Sequence, residues 1–549
     1  MEVWDKGDWH FVGAAEPDKE GLDHGWFAAE AAGAIEDQPK HAIYAVTFRN
    51  SGIHFPLSWD PDATLPAVNV TARYRKQTTI DGPRLMVEVK QKGERVEAKV
   101  EAFRVSDGDR CLQGQSFDGQ KDVNLHLSTA ASEDEIYLVR AEYGGKTVNA
   151  LAKVKGDTVV RIDMDSATFD AASLFAERFG DDPARAAAAG KLLESVDFTP
   201  QTAEAAWRAF LTSPNAAMKA EFDEKTVKTA DRMSPYRWRT VGEKPKDGWG
   251  LVIAMHGGGN APKEVNDAEW EGMFNGYYRD HPEAGGYIYL ALRAPNDEWN
   301  GFYDDAISPL VERLILQFVK YGEVDPNRVY ACGASHGGYG AFVLGPKIPY
   351  RFAAVHPAAS AGTDGETAGE NLRNLRFTWA VGETDTAYGR VERCLAFQKL
   401  WEGWRAKYGG FDGGLELVEG KGHLIGEHEG DKTAELRKYA RNVAPKRVVW
   451  TQTDDVLHRF YWLEALAPRD KGHIDAEISG NVVTLTTKDQ GAIALWLTSA
   501  LVDLKTPITV VRDGKRTTFT PTPSLAVYTD GLAQTGDPAL TAPVRILVP

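Results

Sequence analysis

The run Gly333-Ala334-Ser335-His336-Gly337-Gly338-Tyr339 decides how this chain is read. An apolar, strand-like stretch precedes it, Arg328-Val329-Tyr330-Ala331-Cys332, and a helix-compatible stretch follows, Gly340-Ala341-Phe342-Val343-Leu344. Strand, tight turn with a serine at the apex, then helix is the geometry that presents a nucleophilic hydroxyl. So sharp a turn needs small residues two positions either side of the serine, and Gly333 and Gly337 supply them. Gly338, Gly340 and Ala341 leave the helix slim enough to lie close on a sheet. Alone, the pattern also fits a glycine-rich turn whose serine merely caps a helix. The rest of the chain discriminates.

Around that run, Tyr236 to Lys446 alternates strand with helix. Strand candidates are Gly250 to Met255, Gly286 to Leu292, Val329 to Cys332, Phe352 to Val355, Phe377 to Val381 and Leu415 to Val418. Helical stretches such as Leu310 to Tyr321 and Tyr388 to Tyr408 fall between them. This pattern predicts an α/β core with a mainly parallel sheet, whose ligand sites lie at the C-terminal ends of strands.

A serine hydroxyl needs a base and an oxyanion site. The order expected for this architecture is serine, acid, histidine, each after a strand. Phe377 to Val381 runs into Gly382-Glu383-Thr384-Asp385, and Leu415 to Val418 runs into Glu419-Gly420-Lys421-Gly422-His423. Ser335 is therefore the candidate nucleophile, His423 the base and then acid, and Asp385 the group that orients the imidazole. Glu383 competes for the acid role. His428 sits in a charged segment and reads as a solvated surface residue. His356 follows a strand and reads as structural. The cysteines Cys111, Cys332 and Cys394 have no metal or disulfide spacing, and Cys332 and Cys394 read as small apolar filler.

Leu251 to Met255 leads into His256-Gly257-Gly258-Gly259-Asn260, where glycines let the backbone approach a substrate carbonyl. The backbone N–H groups of Gly257, Gly258 and His336 are the candidate oxyanion donors, and the His336 ring is expected to line the pocket. Trp299, Phe302 and Tyr303 occupy a third loop after a strand and are candidate substrate contacts, or anchors of that loop. Asp304 and Asp305 beside them would favour a cationic or hydroxyl-rich ligand, or simply face water.

With 549 residues the chain exceeds one core, and about 150 residues per domain predicts three or four. Residues 1–165 read as β-rich and sandwich-like, with strands at Ala42 to Phe48, Ala67 to Tyr74, Arg84 to Val89, Arg95 to Val105, Ile136 to Tyr143, Val148 to Val154 and Thr158 to Met164. Residues 166–230 are alanine-rich and read as a helical connector. Residues 231–446 form the α/β domain. Residues 447–549 return to β, again as a sandwich-like domain, with strands at Arg459 to Leu463, Val482 to Thr487, Ala492 to Leu497, Ile508 to Val511 and Thr517 to Phe519.

The net charge of −16 would repel nucleic acid and anionic membranes, so neither is expected as a partner. A small or polysaccharide-linked ligand is, and the oligomeric state is open. Residues 1 to 6 lack the apolar stretch of a secretory signal.

The motifs His256-Gly257-Gly258-Gly259, Gly333-Ala334-Ser335-His336-Gly337-Gly338, Gly382-Glu383-Thr384-Asp385 and Gly422-His423 resemble those of the α/β-hydrolase superfamily. More narrowly they resemble esterases related to polyhydroxybutyrate depolymerases and to feruloyl and acetyl-xylan esterases. The resemblance spans roughly a third of the chain. It implies ester hydrolysis through an acyl-enzyme, with no metal or organic cofactor. The serine, acid, histidine order, the glycine loop and the flanking β modules together point to a secreted or periplasmic setting, a cytoplasmic one being the alternative, and to an ester of a plant polysaccharide or a related acyl compound as substrate. The β-rich ends and the helical connector lie outside the simple esterase core. The Gly-x-Ser-x-Gly-Gly-Tyr run also looks like that of prolyl-oligopeptidase-type serine peptidases, but the repeat of an N-terminal propeller is absent. A serine peptidase or amidase is the alternative activity, and an inert glycan-binding protein is a third reading.

Overall fold

The structure, a computed structural model, describes residues 171–549 throughout, and before them 2–11, 22, 34, 42–46, 54–57, 60–73, 83–117 and 127–165. Its contacts divide the chain into two compact units: Met1–Arg178 with Asp182–Leu192, and Phe179–Asp181 with Leu193–Pro549.

In the first unit, Leu127–Ala130, Arg84–Gln91 and Thr158–Asp163 form one sheet. Lys146–Lys153, Ile136–Tyr143, Lys99–Arg104 and Arg110–Gln115 form another. The alternation legible in the sequence buries Leu85, Val87 and Val89 on one strand and Val100 and Ala102 on another. Leu85, Val87 and Val89 join Val100, Tyr137 and Val139 in one apolar core. The expected strand Ala42 to Phe48 is present at Tyr44–Val46, which pairs with Asp60–Asn69, and Phe48 lies outside the described residues. The expected strand Ala67 to Tyr74 ends at Asn69: residues 71–73 form a helical turn, and Tyr74 lies outside the described residues.

Among the described residues the alanine-rich stretch holds four α-helices and a 3-10 turn, Leu193–Ser195. Ala172–Arg178 and Pro183–Leu192 belong to the first unit, Pro200–Thr212 and Ala216–Glu224 to the second. Thr199 opens the third with a capping box: its side chain accepts from Thr202 N at 3.1 Å, and Thr202 Oγ1 accepts from Thr199 N at 2.8 Å.

The second unit is built on an eight-stranded sheet. Its strands are β1 (Thr226–Lys228), β2 (Met233–Val241), β3 (Trp249–Met255), β4 (Tyr287–Leu292), β5 (Val324–Ala334), β6 (Ala354–Ala358), β7 (Arg376–Gly382) and β8 (Gly413–Val418). Their order is β1-β2-β4-β3-β5-β6-β7-β8, and only β2 runs against the others. The mainly parallel sheet expected from the sequence is present. Helices cover parallel sheets on both faces, so central strands are apolar throughout; every residue of β4 is buried. The strand expected at Phe352 to Val355 starts two residues later, because Pro349–Arg351 forms a 3-10 turn.

Beyond the sheet lie a five-stranded sheet that begins at Arg447–Thr451 and a four-stranded sheet that ends at Val544–Val548. A helix, Leu525–Thr535, accompanies them. Their apolar faces share one core with the central sheet: the Tyr350 ring lies 6.0 Å from that of Phe460, which stacks on Trp450 at 5.3 Å. Among the described residues no helix is long and apolar enough to cross a membrane.

Candidate active site

Ser335 lies between β5, which ends at Ala334, and the helix His336–Lys347. Its φ of 53° and ψ of −114° lie in a region that a residue with a Cβ rarely occupies. The surroundings hold this strain. Ser335 N donates to Ala358 O on β6 at 2.9 Å, and Gly337 N donates to His256 O after β3 at 2.8 Å. A Cβ on Gly333 would collide with the Gly337 carbonyl, and one on Gly337 with the carbonyl of Met255. The small residues flanking the serine are thus required by close backbone approach, without any left-handed φ.

The parallel register of β7 and β8 pairs Gly382 with Val418, so the two loops that follow leave the sheet side by side. They are stitched together: Thr384 N donates to Lys421 O at 2.9 Å, and Gly420 N to Glu383 Oε2 at 2.9 Å. Glu383 is therefore committed to the backbone of the histidine loop. Asp385 is buried, and its Oδ2 lies 2.8 Å from His423 Nδ1. On the other side of the ring, His423 Nε2 lies 3.0 Å from Ser335 Oγ. These partners assign the tautomer: Nδ1–H donates to the carboxylate and Nε2 accepts from the hydroxyl. Asp385 has a second partner that the sequence reading missed. Arg390 Nη1 donates to Oδ1 at 2.8 Å, and Arg390 Nε to the Tyr339 hydroxyl at 3.1 Å.

Gly257 and Gly258 line a pocket of about 540 Å³ together with Ser335 and His423. Gly258 has a φ of +97°, which a Cβ would oppose, and that Cβ would also meet Asn266 Oδ1. The turn is pinned from beneath. His256 Nε2 accepts from Ala294 N at 3.1 Å, so its Nδ1 carries the proton and donates to Gly257 O at 2.6 Å. Gly259 N donates to Asn266 Oδ1 at 2.8 Å. Burial pushes the pKa of His256 down to about 3, which keeps its ring neutral in this role. His336 opens its helix, so its backbone N–H has no preceding helical carbonyl to meet.

The His336 ring does not line the pocket, contrary to expectation. It is buried, its Nε2–H donates to Trp299 O at 3.1 Å, and burial pushes its pKa down to about 4. Phe302 is fully buried, with its ring 5.0 Å from that of His256 and 5.1 Å from that of His336. It props up the two loops and has no surface to offer a ligand. Tyr303 is half-buried against the core. Of the three aromatics only Trp299 is markedly exposed, at 40%, with its ring 5.5 Å from that of Tyr388. Asp304 and Asp305 are committed to ion pairs with Arg232 and Lys347 at 2.7 and 2.9 Å.

His356 has two polar partners. It is fully buried on β6, with Nδ1 2.6 Å from Thr378 Oγ1 and Nε2 2.9 Å from Glu429 Oε2. His428 is exposed and bonds to Glu416 at 3.1 Å. The buried thiols of Cys332 and Cys394 are pushed up to about 12, so they are protonated and inert. Among the described residues no group of three His, Cys, Asp or Glu side chains is placed to hold a metal ion.

No protein-family model matches the sequence, and no curated protein matches it. Solved structures do. The match with a thermostable esterase covers 65% of this chain and 100% of that one, at 14% identity and a TM-score of 0.29. The match with an S-formylglutathione hydrolase from Agrobacterium tumefaciens covers 39% and 93%, at 17% identity and a TM-score of 0.31. That with a poly(3-hydroxybutyrate) depolymerase from Bordetella parapertussis covers 38% and 84%, at 20% identity and a TM-score of 0.29. Each of these TM-scores lies below 0.5.

Proposed function

We propose that the protein is a serine hydrolase that cleaves carboxylic esters through an acyl-enzyme. One observation carries this reading: the His423 ring bridges the Ser335 hydroxyl at 3.0 Å and the buried Asp385 carboxylate at 2.8 Å. In the first half-reaction Ser335 Oγ attacks the ester carbonyl while its proton passes to His423 Nε2. Asp385 holds the opposite N–H and stabilises the imidazolium. Charge accumulates on the carbonyl oxygen, for which the N–H groups of Gly257, Gly258 and His336 are the donors. Each such donor contributes about 2.7–4 kcal/mol to transition-state stabilisation. His423 then protonates the leaving alcohol. Water enters, gives its proton to the same nitrogen and releases the acid, restoring the hydroxyl. No step calls on a metal or an organic cofactor.

The pocket of about 540 Å³ is the size of small-molecule sites, which supports an ester with one compact moiety. Hydrolysis of p-nitrophenyl acetate by the protein and by Ser335→Ala tests the reading. The expected result is a fall in kcat on the order of 10⁶. Equal rates would remove Ser335 from the chemistry.

A further inference from the structure

The pocket above Ser335 has an uneven charge. Among the described residues that line it, Glu269 is the one acid, and none is a lysine or arginine. Glu269 extends from the helix Lys263–Gly272 toward the oxyanion turn. A Cβ placed on Gly257 would lie 3.0 Å from Glu269 Oε2 and 3.8 Å from Ser335 Cβ, so one small group spans the gap from nucleophile to carboxylate.

Two other acids of that helix have cationic partners. Asp267 pairs with Lys263, and with Arg293 at 3.0 Å, while Glu271 lies 3.7 Å from Arg237. Glu269, between them in sequence, has no ion-pair partner among the described residues and faces the pocket instead. Glu269 is exposed, so water screens part of its repulsion of a developing oxyanion, and a positive charge brought between them by the substrate would remove the rest. The same pocket carries an aromatic face. A π-helical turn, Met273–Tyr277, delivers Tyr277 to the lining, and its phenol is kept neutral by burial first and by the nearby Glu429 and Glu269 charges. A carboxylate and an aromatic face without a competing cation is the chemistry that recognises an ammonium group.

We propose that this pocket is a cation subsite: the ester carries a primary or quaternary ammonium on the moiety that enters it, seated between the Glu269 carboxylate and the Tyr277 ring. This inference rests on the hydrolase reading above and names its substrate class.

Two matched ester pairs test it. Acetylthiocholine against S-(3,3-dimethylbutyl) thioacetate places the charge on the leaving group. The p-nitrophenyl esters of 4-(trimethylammonio)butanoate and 5,5-dimethylhexanoate place it on the acyl group. In at least one pair the protein is expected to favour the cationic member by about tenfold or more in kcat/KM, and Glu269→Gln to lower that ratio by about tenfold. Glu269→Lys should reverse it. No preference in either pair, or a ratio that survives both substitutions, overturns the subsite. If p-nitrophenyl acetate and all four esters remain intact, the hydrolase reading fails and the subsite with it. Cleavage of the neutral esters without charge preference defeats the subsite alone.

Discussion

Arg390 Nη1 and His423 Nδ1 share one carboxylate: each lies 2.8 Å from a different oxygen of Asp385. The Asp385 and Arg390 side chains are only 2% and 6% exposed, so their pairing is screened little by water. The carboxylate divides its charge between a permanent cation and the imidazole. Removing the guanidinium leaves the full negative charge facing His423, which favours the protonated ring and withholds the base until higher pH. For Arg390→Met the acid limb of kcat/KM is expected to move to higher pH. The unfolding midpoint should also fall, by an amount equivalent to about 3–5 kcal/mol for a broken buried pair. Arg390→Lys should return the limb toward its original position. A rate profile unchanged in Arg390→Met would mean that Arg390 only braces the loop.

Gly337 is the tightest point of the elbow. An added methyl would overlap the backbone carbonyl of Met255, which cannot swing aside as a side-chain tip can. Gly337→Ala is expected to lose about 1–3 kcal/mol or more in chemical denaturation. Surviving folded protein should show reduced kcat, because β3 and the nucleophile helix are forced apart. A variant as stable and active as the parent would contradict the close approach of these two segments.

Two buried histidines tie stability to pH. Burial lowers His256 to about 3 and His336 to about 4, both below the ordinary value of about 6.5. As pH falls through this window the unfolded chain takes up protons that the folded rings refuse. Their contribution is complete above about pH 6.5 and is lost as pH drops toward 4, at about 1.4 kcal/mol per pH unit for each ring. Urea midpoints between pH 7 and pH 4.5 measure this, and His336→Gln should remove one ring's share of the slope. An identical slope in that variant would contradict a neutral, buried His336.

The central sheet was legible because its parallel strands are buried on both faces and read as unbroken apolar runs bounded by glycine. Ser335, Asp385 and His423 were legible because each follows shortly after a strand. What escaped was set by distance along the chain. Glu429 reaches His356 from 73 residues away, on a short helix in a charged stretch that reads as solvent-facing. Arg390 belongs to a helix whose start is marked by Gly389 at φ +64°, but nothing in its pattern says that it turns back to the acid loop. Glu269 stands in a run of charged helical residues, and only folding separates the paired acids from the one that faces the pocket. The strand His473–Ser479 carries a signal of its own, its Ile474, Ala476 and Ile478 alternating toward the core, though weaker than the runs around it.

The proposed chemistry requires Ser335 to be a nucleophile activated by His423. Reaction of the folded protein with a fluorophosphonate, followed by peptide mass spectrometry, measures this directly. The expected result is a single phosphonyl adduct on the peptide bearing Ser335, absent in Ser335→Ala and strongly slowed in His423→Ala. A folded protein that stays unlabelled, or that labels equally fast without the imidazole, would contradict it.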